Sequence, residues 1–70
     1  MTLRELANEY LESERLVLER AKTLREELSR TRGNIEREAL RKRIDLLEDE
    51  AMETHFTAMQ MLAYDEPESL

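Results

Sequence analysis

Cysteine is absent from this chain, which also holds a single glycine, a single proline and no tryptophan. Without thiols there is neither a disulfide framework nor a thiolate metal site, and the reducing cytoplasm is the expected compartment. Long apolar runs are missing as well. The longest, Leu16 to Leu18 and Met61 to Ala63, are three residues each, whereas a bilayer span needs about 20, so no membrane segment is expected. The opening Met1-Thr2-Leu3-Arg4-Glu5 has no apolar core with a small-residue cleavage site, and export is not expected either. Seventy residues allow one domain. A chain so short reaches useful stability through disulfides, a metal or oligomerisation. With thiol chemistry removed, oligomerisation is the natural expectation.

What the chain does have is charge and helix-forming residues. Charged side chains make up 40% of it, the formal net charge is -6, and Leu, Glu, Arg and Ala dominate, a composition typical of long helices and coiled coils. A net acidic chain repels phosphate backbones and anionic lipid, so a nucleic-acid role would need a local basic patch.

Thr2 and Glu5 form a capping-box pattern that predicts a first helix over about 3–30. Within it Leu3, Ala7, Tyr10, Val17, Ala21, Leu24 and Leu28 recur at spacings of three and four, with Glu14 as the one polar step, and so share one face. A turn is expected over 31–34, with Gly33 supplying left-handed backbone and Asn34 capping the next helix. The second helix, over about 35–64, repeats the stripe as Leu40, Ile44, Leu47, Ala51, Thr54, Ala58 and Met61. Pro67 is expected to end it and leave an acidic mobile tail over 65–70. Two helices of matched length joined by a short turn must fold back on each other. The expected fold is therefore all-α, a two-helix antiparallel hairpin.

One such hairpin is not expected to be self-sufficient. Each ordered residue must bury on the order of 60 Å² of apolar surface to offset its lost entropy, and a single seam leaves most of each helix in water. A second copy completing a four-helix bundle, a homodimer, is the simplest remedy. Its docking face can be read from the apolar arc, which in the C-terminal half of helix 2 widens to include Met52, His55, Phe56, Met59 and Ala63. Nearer the turn that same side shows Arg41, Asp45 and Glu48. Leu11 and Leu18 lie beside the seam of helix 1 and join the patch after antiparallel folding, and a contiguous patch of this kind marks an interface. Leu16 and Leu46 fall away from both seams and receive no role.

Met52, His55 and Met59 could be mistaken for a Cu(I) site, but methionine is common core filler and no second histidine or thiol accompanies them. No cofactor is expected. Glu14 faces helix 2 near Met52 to His55; it either reaches solvent along the seam edge or meets His55 or Thr54 in a contact that fixes register. Carboxylate pairs abound, yet none has an activated nucleophile or glycine loop beside it, and no catalytic group is identified. The basic residues cluster at the turn, where Arg30, Arg32, Arg37, Arg41 and Arg43 form the alternative nucleic-acid contact set. Interleaved Glu26, Glu27, Glu36 and Glu38 and the absence of aromatic residues there weaken that reading.

Thr2-Leu3-Arg4-Glu5-Leu6-Ala7-Asn8-Glu9-Tyr10, Leu24-Arg25-Glu26-Glu27-Leu28 and Thr31-Arg32 together resemble short uncharacterised helical-hairpin proteins of Gram-positive bacteria, often found near mobile elements. The resemblance implies the hairpin fold and no activity. The expected architecture is also similar to that of Rop-type dimeric hairpins, which bind paired RNA loops, though no Rop binding residue finds a match here. The function expected from the residues is a non-catalytic protein–protein interaction or assembly module. A Rop-like regulatory nucleic-acid binder is the alternative.

Overall fold

The computed structural model describes residues 1–65, and two helices account for nearly all of them: α1, Leu3–Arg30, and α2, Asn34–Asp65. The capping box at the start of α1 is complete. The Glu5 amide donates to Thr2 Oγ1 at 3.1 Å while the Thr2 amide donates to Glu5 Oε1 at 2.8 Å, which satisfies two amides that no helical carbonyl can reach.

The turn differs from the expectation. Asn34 is not a cap; it is the first residue of α2, and Gly33 precedes it with its carbonyl accepting from the Arg37 amide at 2.9 Å. Nor does Gly33 adopt left-handed backbone. Its lack of a side chain matters for another reason: the Glu36 carboxylate folds back over it, into the space where a Cβ would sit. A three-residue connection that includes an extended Thr31 thus reverses the chain without positive backbone angles. The expected acidic tail lies outside the described residues, apart from Asp65, which belongs to α2.

The reversal is tied by a residue that the sequence had placed elsewhere. Arg37 donates from Nη1 to the carbonyl of Leu28 at 2.8 Å, which also accepts from the Thr31 amide at 3.2 Å, and to that of Thr31 at 2.9 Å, carbonyls beyond the reach of regular helical bonding at the end of α1. A guanidinium there also complements the negative end of the helix. Arg37, one of the expected nucleic-acid contact set, is half-buried in this role.

The seam follows the predicted stripes. Ala7, Ala21, Ile44, Ala51 and Ala58 are the buried hydrophobic residues. Tyr10, Val17, Leu24, Leu28, Leu40, Leu47, Thr54 and Met61 are half-buried around them, while Leu3, at the open end, stays exposed. The resulting rod measures 57 × 16 × 13 Å, with a radius of gyration of 16.3 Å, where a compact domain of this length would have roughly 11 Å. Its accessible surface is 5517 Å², against roughly 4,600 Å² for a compact chain of its mass.

Because Arg37 holds two carbonyls and Arg32 is exposed, alanine substitutions should separate them. Arg37→Ala is expected to lower unfolding free energy by about 1.5–3 kcal/mol, and Arg32→Ala to change it by less than about 0.5 kcal/mol. Urea titrations at one fixed protein concentration read both; equal effects would dismiss the capping role of Arg37.

Candidate interaction surface

One flank of the hairpin collects nearly every residue expected at an interface. Leu11, Leu18 and Arg25 are seven residues apart on α1, and Glu48, His55 and Leu62 are seven apart on α2. The Arg25 guanidinium pairs with the Glu48 carboxylate across the helices, so the two rows border the same side of the rod. Met52 and Met59 form the next row outward on α2, and Phe56 and Ala63 the one beyond it.

These side chains remain open to solvent: Met52 is 68% exposed, Phe56 61%, Leu18 44% and Met59 40%. Ala63 and His55 are exposed as well, and Leu11 is half-buried. An open depression lined by Met52, Glu53, Phe56 and Thr57 gives the surface relief around the Phe56 ring. Leu62, not anticipated as part of the patch, lies half-buried on the same row as His55; its position seven residues after His55 was the available signal. Leu16 and Leu46 are exposed but do not belong to these rows.

Glu14 and His55 meet within the hairpin, with Nδ1 of His55 2.9 Å from Oε1 of Glu14. The Glu14 side chain is 20% exposed and that of His55 51%. The seam glutamate therefore turns toward the patch side and is satisfied there, which removes the penalty of an unpaired carboxylate at a packed position. Further out on α1, Arg15 bridges Glu12 and Glu19, each at 2.6 Å. Its hydrogen bond holds the Glu12 carboxyl below the ordinary carboxylate range. All three side chains are well exposed, so the triad matters for charge arrangement more than for stability.

Charge is segregated along the rod. Residues 22–43, around the turn, carry eight Lys and Arg against four Glu, whereas the rest of the chain carries three against thirteen Asp and Glu. Arg30, Arg32, Arg41 and Arg43 of the expected basic set are exposed at this elbow. Among the described residues, no three His, Cys, Asp or Glu side chains converge as a metal site would require, and no helix is long and apolar enough to cross a membrane.

Compared with protein families, with curated proteins and with solved structures, the chain finds no match in any of the three. The functional reading accordingly rests on the geometry of this flank.

The Glu14–His55 contact should register as a coupling energy. In a double-mutant cycle with Glu14→Gln and His55→Gln, the interaction term is expected at about 0.2–1 kcal/mol, the range for partly exposed charged pairs. Strictly additive single effects would show that the contact contributes nothing to stability.

Proposed function

We propose that this hairpin is a non-catalytic protein–protein interaction module that acts as a homo-oligomer in the cytoplasm, with the flank built from Leu11, Leu18, Met52, His55, Phe56, Met59 and Ala63 as its contact surface. The observation that carries this reading is the inversion of size between inside and outside. The fully enclosed seam residues are four alanines and one isoleucine, while the larger Phe56, Met52 and Leu18 are left exposed. An aromatic ring and flexible thioethers beside a charged rim have the make-up of an interface core.

A second reading draws on the elbow, whose excess of cations over carboxylates suits a phosphate-bearing partner in the Rop-like manner. Arg30, Arg32, Arg41 and Arg43 would make those contacts. Binding of that kind weakens steeply with added salt, so a salt titration with generic duplex and hairpin RNA distinguishes it from the first reading.

Sedimentation equilibrium over a range of protein concentrations tests the main proposal. Wild type is expected at dimer mass with a melting temperature that rises with concentration, and Phe56→Ala should cost about 3 kcal/mol where the ring is fully buried by the partner. Monomeric mass with a concentration-independent melt, or a Phe56→Ala protein indistinguishable from wild type, would overturn it.

A further inference from the structure

The flank that we assign to self-association also encodes the direction in which two copies meet. Along α1 the residues Leu11, Arg15, Leu18, Lys22 and Arg25 follow one another at spacings of four and three, so they form a continuous stripe. Along α2 the same spacing links Asp45, Glu48, Met52, His55, Met59 and Leu62. Toward the open end the stripes carry leucine and methionine, with Arg15 between Leu11 and Leu18 on α1 and His55 between Met52 and Met59 on α2; toward the elbow Lys22 and Arg25 on α1 stand opposite in sign to Asp45 and Glu48 on α2, with Arg41 one turn beyond them. The pairs Arg25–Glu48 and Glu14–His55 fix which residues are level. Between these two limits Leu11 is level with the stretch from Ala58 to Leu62, Leu18 with that from Ala51 to His55, and Lys22 with that from Leu47 to Ala51.

We infer that the partner on this flank is a second copy of the chain, docked face to face about a two-fold axis running along the rod, with both elbows at the same end. This arrangement rests on the self-association reading above. It lays the α1 stripe of each copy against the α2 stripe of the other at the same level. Leu11 and Leu18 then cover Leu62, Met59 and Met52 of the second copy, and Lys22 and Arg25 face its Asp45 and Glu48. The two-fold makes each of these contacts twice, as an isologous interface requires. Arg15 brings no unsatisfied charge into the contact, because Glu12 and Glu19 on its own helix already hold it.

The reverse docking, with elbows at opposite ends and the rods fully overlapped, fails on the same stripes. It sets Leu18 against Arg15, Leu11 against Lys22, Met52 against Glu48 and Met59 against Arg41, so that apolar side chains meet charges and the opposite charges do not meet. The excess surface of the single rod, 5517 Å² against roughly 4,600 Å² for a compact chain, is of the order of the 800 Å² per partner that a standard interface buries.

Because the chain has no cysteine, one introduced at the exposed elbow residue Arg32 can carry a unique spin label, and its separation from the label on the second copy can be measured by pulsed dipolar spectroscopy. Neighbouring helices pack about 8–10 Å apart, so elbows at one end predict a label separation on the order of 10–30 Å once the linkers are included. Dimer mass with a separation near the 57 Å length of the rod, or beyond it, overturns the arrangement and leaves the self-association reading standing; monomeric mass sinks both. A charge-reversal pair supplies a second readout at low salt. Arg25→Glu alone and Asp45→Lys alone should each dimerise several-fold more weakly than wild type, and an equimolar mixture should associate more tightly than either variant by itself, since each reversed residue then faces its complement. A mixture no tighter than the two variants by themselves would count against the inferred direction.

Discussion

Four of the five hydrophobic side chains that the hairpin takes out of solvent are alanines, and most other properties of the molecule follow from that seam. Small residues at the contact allow two helices to run close together over their whole length, but each contributes little area to the hydrophobic term. A seam of this kind sets register and direction while leaving the larger apolar residues, Leu18, Met52, Phe56 and Met59, still 40–68% exposed. The rod is well-formed locally and incomplete as a core.

Local hydrogen bonding compensates for part of what the seam lacks. The capping box of Thr2 and Glu5 secures the start of α1, and the Arg37 guanidinium collects carbonyls at its end. The cross-helix pairs Arg25–Glu48 and Glu14–His55 hold the two helices level at two points along the rod. Each such contact, being partly exposed, is individually modest. Their positions matter more than their strength, because a one-step slip of α2 along α1 would break both pairs together and displace the alanines.

Much of this was legible from the residues in order. Helical periodicity identified both stripes, because a face buried against one neighbour must repeat at three and four residues. The widening of the arc at Met52, Phe56 and Met59 was visible for the same reason. Leu62 escaped notice because it sits on the border between the seam and the flank, where periodicity alone does not divide one face from the next. The turn departs from its sequence expectation for a different reason. Glycine is associated with left-handed backbone, yet Gly33 avoids it and instead leaves room for the Glu36 carboxylate, a local accommodation that no spacing rule describes.

The sequence by itself determined that the chain would form two long helices, where they would begin, and which faces would be apolar, since these depend on neighbours within one or two helical turns. Only the tertiary structure decided which charges are already spent. Arg37 reads like the other elbow arginines, and it became a structural cap because the reversal of the chain brings the last carbonyls of α1 within reach of its guanidinium. Glu14 was equally compatible with solvent, and it became a partner of His55 because antiparallel packing sets the two at the same height. Such outcomes depend on distances between residues far apart in the chain, which exist only after the helices have met.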